Sequence, residues 1–136
     1  MLTPAPRAAC ANSLAKRPLQ ILLVEDEPAL GEVTTEALQQ RGHRVTLANT
    51  IATAFSQLST ISFDAILLDL QVGPDRGEDL VLRLRNAGYW VPSVVIVSAR
   101  STLLIRLAME EIGAAAFVQK PCVVDDIQTV LDRIVA

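Results

Sequence analysis

Cysteine, histidine and aromatic residues are scarce in this chain, and their scarcity excludes several classes of protein. Among 136 residues there are two cysteines and one histidine, and aromatic residues make up 4%. Cys10 and Cys122 are too few for the disulfide framework of a small secreted domain. With His43 as the one histidine, the chain offers no plausible zinc ligand set. We therefore expect a cytoplasmic protein whose thiols stay reduced.

Long apolar runs and excess positive charge are also missing. No run approaches the roughly 18 apolar residues of a membrane-spanning helix, so we expect no membrane association. Residues 1–18 contain three basic residues and no acidic one, and the rest of the chain contains nine basic and 15 acidic residues. This acidic body disfavours direct nucleic-acid binding. We expect a flexible tail over 1–18 and one domain over 19–136.

Short apolar runs alternate with amphipathic segments throughout the predicted domain. The apolar runs predict five buried strands, at 19–24, 45–48, 64–69, 93–97 and 115–119. The amphipathic segments predict five helices, which begin near residues 28, 51, 77, 100 and 125. This alternation is typical of the doubly wound α/β class, in which helices cover both faces of a parallel sheet.

Polar side chains follow four of these strands at their carboxyl ends. In chain order they are Glu25-Asp26-Glu27, Asp69, Ser98 and Lys120-Pro121. Ligands of open parallel sheets bind beyond the carboxyl ends of the strands. We therefore expect several carboxylates, a hydroxyl and an ammonium group to converge on one rim of the sheet.

This set of groups favours phosphoryl transfer to a carboxylate. Clustered carboxylates repel one another, and oxygen ligands of this kind suit Mg²⁺, which usually shares a phosphate. The metal would screen Asp69 from an incoming phosphoryl group, while Lys120 and Ser98 would bind its oxygens. A carboxylate nucleophile can form an aspartyl phosphate, and the transfer mainly requires positioning and charge neutralisation.

Four segments resemble the receiver domain of response regulators. They are ILLVEDEP at 21–28, FDAILLDL at 63–70, VIVSAR at 95–100 and FVQKP at 117–121. The resemblance covers about residues 19–136 and implies the flavodoxin-like receiver fold, a five-stranded sheet with strand order 2-1-3-4-5. It also implies a phosphoacceptor in two-component signalling, served by a histidine kinase or phosphotransfer protein, and not a turnover enzyme.

The resemblance assigns roles to the acidic residues. Asp69 is the phosphoacceptor, and Glu25 and Asp26 form the acid pocket. The Mg²⁺ ligands implied are Asp26, Asp69 and the backbone carbonyl of Gln71, with Glu25 acting indirectly.

The resemblance also assigns the remaining site residues and an output surface. Lys120 and Ser98 complete the catalytic set, Ser98 and Phe117 are the switch pair, and the Lys120–Pro121 bond is expected to be cis. The fourth helix, fifth strand and fifth helix form the surface that switches, binding a second copy or an effector. In the fourth helix we expect Leu104, with Ala108 and Ile112, to face the sheet.

Some positions depart from the family pattern, and other functions remain open. Gly73 stands where proline is common, with Pro74 next, which indicates a reshaped loop. A phosphatase of the haloacid-dehalogenase kind would need an acid at Gln71, and a flavodoxin-like flavin binder would need a phosphate loop where Glu25 lies. The alternative that keeps the fold is a phosphorylation-independent interaction module.

Overall fold

The computed structural model describes residues 17–134, so most of the predicted tail lies outside the described residues. The strands are β1 Gln20–Val24, β2 Arg44–Ala48, β3 Ala65–Leu68, β4 Gln71–Val72, β5 Asp75–Arg76, β6 Ser93–Ser98 and β7 Ala116–Gln119. The helices are α1 Pro28–Gln40, α2 Ile51–Leu58, α3 Glu78–Asn86, α4 Thr102–Ile112 and α5 Val124–Ile134.

Five parallel strands form the main sheet, in the order β2-β1-β3-β6-β7. With the short hairpin β4–β5 set aside, this is the predicted order 2-1-3-4-5, which is confirmed. The five main strands also begin and end within one residue of the predicted positions. Each parallel neighbour is reached through a helical crossover, so the helices cover both faces of the sheet.

Two apolar cores lie on opposite faces of the sheet. One face packs against α2, α3 and α4, and the other packs against α1 and α5. Alternate residues of β3 enter the two cores: Ile66 and Leu68 face the first, and Ala65 and Leu67 face the second. All four are fully buried, as expected for a central parallel strand covered on both sides. This buried strand carries Asp69 at its carboxyl end.

α1 begins immediately after the acidic segment. Glu27 is its N-cap, and its carboxylate accepts a hydrogen bond from the backbone N–H of Leu30 at 2.8 Å. Pro28 occupies the first turn, where the missing N–H costs nothing. Glu27 therefore caps α1, whereas Glu25 and Asp26 lie at the rim of the sheet.

The inward face of α4 differs from the prediction. Ile105, Ala108 and Ile112 are buried, whereas Leu104 is 45% exposed. Residues 105, 108 and 112 fall within a narrower arc of a helix than residues 104, 108 and 112. Leu104 and Ile105 are both apolar, so the apolar periodicity of α4 was compatible with either residue facing the sheet. The prediction that Leu104 faces the sheet was wrong.

The β4–β5 hairpin was not predicted as secondary structure. Gln71 pairs with Arg76, and Val72 pairs with Asp75, in antiparallel register. Gly73 adopts a φ of 60° at the turn, a conformation that glycine tolerates best. The hairpin is held to α4 because Arg76 donates to the Glu111 carboxylate at 2.7 Å. The departure at Gly73 and Pro74 therefore builds an ordered element beside Asp69.

The described helices offer no candidate for a membrane span. Within residues 17–134, none combines the length and the apolar composition that crossing a bilayer requires.

Gly77 permits a close approach to the backbone of Asp69. A β-carbon at this position would lie 1.9 Å from the carbonyl oxygen of Asp69. We expect Gly77→Ala to lower the free energy of unfolding by about 1–3 kcal/mol, because the Asp69 backbone must move. The matched variant is Gly31→Ala, whose β-carbon would meet only the flexible side chain of Leu47, at 3.0 Å. Urea unfolding measures both; an equal loss would contradict this prediction.

Candidate phosphorylation site

Three carboxylates meet at the carboxyl ends of β1 and β3. These strands are neighbours, and Val24 pairs with Leu68, so the residues after them lie side by side. Carboxylate oxygens of Glu25, Asp26 and Asp69 all lie within 4.8 Å of one another. The structure therefore brings together the three acids that the sequence predicted at this rim.

Lys120 reaches this cluster from the end of β7. Its Nζ lies 2.7 Å from Oε1 of Glu25 and 2.9 Å from Oδ2 of Asp69. Burial lowers the pKa of Lys120, but the hydrogen bonds and charges of Glu25 and Asp69 outweigh it and raise the pKa above the ordinary 10.5. The side chain is thus a stable ammonium ion at neutral pH, held against the predicted phosphoacceptor.

The hairpin contributes backbone groups to the same cluster. The N–H of Gly73 donates to Oδ2 of Asp26 at 2.8 Å, and the N–H of Gln71 donates to Oδ1 of Asp69 at 3.3 Å. These contacts orient two of the three carboxylates. The Gly73 contact was not anticipated from the sequence, because it depends on the unpredicted hairpin.

The two predicted switch residues occupy different surroundings. Ser98 is the last residue of β6, is 1% exposed, and accepts a hydrogen bond from the N–H of Arg100 at 3.1 Å. Phe117 is half-buried on β7 and packs against the core beneath α4. Ser98 lies at the cavity with Asp69, whereas Phe117 lies away from it, on the side of α4.

An open cavity of about 330 Å³ lies around Asp69. It is lined by Asp26, Asp69, Gln71, Ser98, Ala99, Arg100 and Lys120. A larger cleft of about 650 Å³ adjoins it beside α1 and the start of α5, and shares Asp69 and Lys120 with it. The exposed apolar side chains of Leu30, Val33 and Val123 line this second cleft.

The segment after Lys120 has two further features. The Lys120–Pro121 peptide bond is cis, in agreement with the expectation. Cys122 is a free thiol in the larger cleft, and burial, followed by the nearby charge of Asp126, raises the pKa of that thiol. A thiol that remains protonated at neutral pH is a weak nucleophile, so Cys122 acts as a small apolar side chain.

The geometry is suited to binding a phosphoryl group at Asp69. One ammonium donor lies within hydrogen-bond distance of the carboxylate, and the acids beside it offer oxygen ligands for a hard cation. The site lacks the second acid at position 71 that a haloacid-dehalogenase-type phosphatase would need, because Gln71 stands there. Carboxylates, which repel phosphate, stand where a flavin-phosphate loop would lie.

Sequence and structure comparisons agree on one family. A family model described as the response regulator receiver domain matches residues 21–132. The chain belongs to the response regulator receiver family. Receiver domains of this family serve two-component systems, and phosphorylation of an aspartate is their general function.

Curated relatives of this receiver domain are transcriptional regulators. It is 36% identical over 109 residues to the alginate biosynthesis transcriptional regulatory protein AlgB of Pseudomonas putida. The matched segment covers 80% of this chain and 24% of AlgB. It is 30% identical over 122 residues to the transcriptional regulatory protein TcrA of Mycobacterium tuberculosis, covering 90% of this chain and 47% of TcrA. The chain therefore spans a quarter to a half of these relatives.

A solved receiver domain has the same fold. The non-phosphorylated HemR receiver domain from Leptospira biflexa superposes with a TM-score of 0.76 and is 32% identical, covering 88% of this chain and 95% of that one. The predicted fold class is confirmed by this likeness together with the sheet order.

The ion pairs of Lys120 predict a pH-dependent stability. We expect Lys120→Met to lower the free energy of unfolding by about 1–3 kcal/mol, because the buried Glu25 loses its cation. A raised lysine pKa stabilises the folded state fully below the pKa of the unfolded chain, and this stabilisation is lost as pH rises through the folded pKa. The difference from the unsubstituted protein should therefore be constant from about pH 6 to 9, and shrink only above the ordinary lysine pKa.

Urea unfolding across this pH range measures the difference. Arg106→Met is the matched control, because it removes an exposed cation from α4, where arginine and methionine have similar helix propensities. A deficit for Lys120→Met that is no larger than that of the control would show that the two ion pairs do not stabilise the fold.

Proposed function

We propose that this receiver domain accepts a phosphoryl group on the carboxylate of Asp69, in a two-component phosphorelay. The observation that carries the proposal is the contact of Lys120 Nζ with Asp69 Oδ2 at 2.9 Å, inside a cluster of three carboxylates. The ammonium group can bind a phosphoryl oxygen as soon as Asp69 carries the phosphoryl group as an acyl phosphate. Ser98 lines the same cavity and can donate its hydroxyl hydrogen to another phosphoryl oxygen.

A magnesium ion fits the donor set of this site. All the donors are oxygens, the groups that Mg²⁺ prefers, and the three carboxylates outnumber the one ammonium. Asp26, Asp69 and the backbone carbonyl of Gln71 would hold the ion. Glu25 would act indirectly, since Lys120 already binds its Oε1 at 2.7 Å. When bound, the ion supplies positive charge that offsets the repulsion between Asp69 and the phosphoryl oxygens.

The transfer exchanges one phosphorus bond for another. The P–N bond of a phosphohistidine breaks as a P–O bond to Asp69 forms, and the donor histidine takes up a proton. Lys120 and Ser98 neutralise and orient the phosphoryl oxygens during this exchange. Asp69 holds the group until water removes it, so the chain serves as a phosphoacceptor and not as a turnover enzyme.

The partner that delivers the group is a histidine kinase or a phosphotransfer protein. Its phosphohistidine must reach Asp69, so its surface covers the neighbouring cleft, where Leu30, Val33 and Val123 are exposed. Burial of these apolar side chains favours the encounter. The transcriptional regulators AlgB and TcrA are longer than this chain. Our proposal therefore concerns the receiver domain and assigns no transcriptional output to it.

Asp69→Asn should abolish phosphorylation. We expect the unsubstituted protein to gain one phosphoryl group from a small phosphodonor with Mg²⁺, and the variant to gain none, because the amide is not a nucleophile at this step. Intact-protein mass spectrometry measures the gain. Asp75→Asn is the matched control, since it removes one carboxylate from the exposed face of the nearby hairpin.

Three outcomes of this experiment would revise the proposal. Undiminished labelling of Asp69→Asn would remove Asp69 from the role of acceptor. Labelling that persists after chelation of Mg²⁺ would show that phosphorylation does not require the metal. A failure of the unsubstituted protein to accept phosphate from any donor would favour the alternative, a phosphorylation-independent interaction module.

The α4 surface is the candidate site of output. Leu103, Leu104 and Leu107 are 67%, 45% and 54% exposed on α4. α4 and α5 pack on opposite faces of the sheet, whose edge strand on this side is β7. Contiguous exposed apolar side chains commonly mark an interface. We propose that phosphorylation favours the state in which this surface, formed by α4, β7 and α5, binds a second copy. Ser98 and Phe117 would transmit the change, because Ser98 ends β6 beside Asp69 and Phe117 lies in the neighbouring strand β7, beneath α4.

Charge on α4 should prevent this association. We expect the phosphorylated protein to sediment as a larger species than the unphosphorylated one, and Leu103→Glu or Leu107→Glu to sediment as a monomer, because burial of a carboxylate in an apolar interface is unfavourable. Trp90→Glu is the control, since Trp90 is 75% exposed in the loop before β6 and lines neither cavity around Asp69. A monomer in every state would rule out self-association through α4.

A further inference from the structure

A continuous series of hydrogen bonds runs along the open cavity around Asp69. Oδ2 of Asp26 accepts from the N–H of Gly73 at 2.8 Å, and the carbonyl of Gly73 accepts from the side-chain amide of Gln71 at 2.7 Å. Oε1 of Gln71 accepts from the guanidinium of Arg100 at 2.8 Å, and the carbonyl of Arg100 accepts from the side-chain amide of Gln119 at 2.9 Å. We call these five residues the rim chain.

The rim chain joins segments that are distant in the sequence. It links the residues after β1, β3 and β6 to the last residue of β7. All four of its bonds connect solvent-exposed groups, above the buried strand ends. The Gln71 and Arg100 side chains line the open cavity around Asp69.

Gln119 and Gly73 are the two members of the rim chain that do not line the cavity, and Gln119 is the one that contributes a side chain. Asp26, Gln71 and Arg100 line the cavity, whereas Gln119 does not. Its side chain is exposed at the end of β7, where it pairs in register with Ser98. Its amide holds the backbone carbonyl of Arg100, while the hydroxyl of Ser98 accepts from the N–H of Arg100 at 3.1 Å. Both polar backbone groups of Arg100 are therefore fixed.

We propose that Gln119 is a positioning residue that sets the lifetime of the aspartyl phosphate by holding Arg100 on Gln71. The inference rests on the proposed phosphorylation of Asp69. With the Arg100 backbone fixed, its guanidinium stays on the Gln71 amide, and the two side chains restrict the path of water. Without the Gln119 amide, the segment after β6 is freer to move and Arg100 leaves Gln71 more often.

The step under control is hydrolysis of the acyl phosphate. A water oxygen forms a new P–O bond as the bond between phosphorus and the Asp69 oxygen breaks. The carboxylate of Asp69 is regenerated, and inorganic phosphate leaves with both protons of the water, one of which it can release to the solvent. Restricted access of water slows this step without changing the groups that bind the phosphoryl oxygens, since Lys120 and Ser98 are not part of the rim chain.

The experiment compares Gln119→Met with Arg100→Ala and with the double variant. Methionine keeps the length of the side chain and its neutral charge but removes the hydrogen-bond donor. Each protein is phosphorylated with a small phosphodonor and Mg²⁺, freed of donor, and followed by intact-protein mass spectrometry. The rate of phosphorylation is measured in the same samples, because a change that distorts Asp69 or Lys120 would lower it. Gln40→Met, at the exposed end of α1, is the matched control.

We expect Gln119→Met to shorten the phosphorylated lifetime about twofold to fivefold, the change that loss of one neutral hydrogen bond accounts for. Its phosphorylation rate should not fall, and Gln40→Met should behave like the unsubstituted protein. Arg100→Ala should shorten the lifetime at least as much. Gln119→Met should then add nothing in the Arg100→Ala background, because the two residues act in series.

Two results would overturn the assignment. One is an unchanged lifetime in Gln119→Met, and the other is a full, additive effect of Gln119→Met in the absence of Arg100. Both differ from a failure of the proposed function, in which the unsubstituted protein carries no phosphate whose lifetime can be measured.

Discussion

The ammonium group of Lys120, held between Glu25 and Asp69, is the interaction on which the rest of the site depends. Glu25 is almost fully buried, and a buried carboxylate without a partner is strongly unfavourable. The cation reaches both acids from β7, across the intervening strand β6, so it links the two halves of the sheet at the carboxyl ends of the strands. The ammonium group that stabilises the three carboxylates is also the group that would bind a phosphoryl oxygen.

The surroundings of Asp69 show how closely the chemistry is tied to packing. The strand that ends at Asp69 is buried on both faces of the sheet. The carbonyl oxygen of Asp69 lies so close to Gly77 that a β-carbon there would clash with it. The carboxylate of Asp69 accepts a hydrogen bond from the N–H of Gln71. The carboxylate is therefore carried by rigid backbone, while the exposed side chains of Gln71 and Arg100 bond to each other and line the same cavity. Rigid placement suits phosphoryl transfer, which depends mainly on position and charge.

Much of the fold followed from local patterns, and its failures have a physical cause. Five apolar runs separated by amphipathic segments specify strands and helices, because burial on both faces demands continuous apolar residues. The phase of α4 was mistaken because Leu104 and Ile105 are both apolar, and periodicity cannot decide which one meets the sheet. The β4–β5 hairpin was missed because two-residue strands around Gly73 carry little pattern of their own.

The sequence by itself determined which chemical groups stand at the ends of the strands, since each of them directly follows an apolar run. It did not determine which groups meet. Lys120 is 95 residues from Glu25 and 51 from Asp69, and only the sheet order β2-β1-β3-β6-β7 makes them partners. The contacts of Gly73 with Asp26 and of Gln119 with Arg100 were likewise decided by the tertiary structure. Such contacts depend on distances between separate strands, and local sequence carries no measure of those distances.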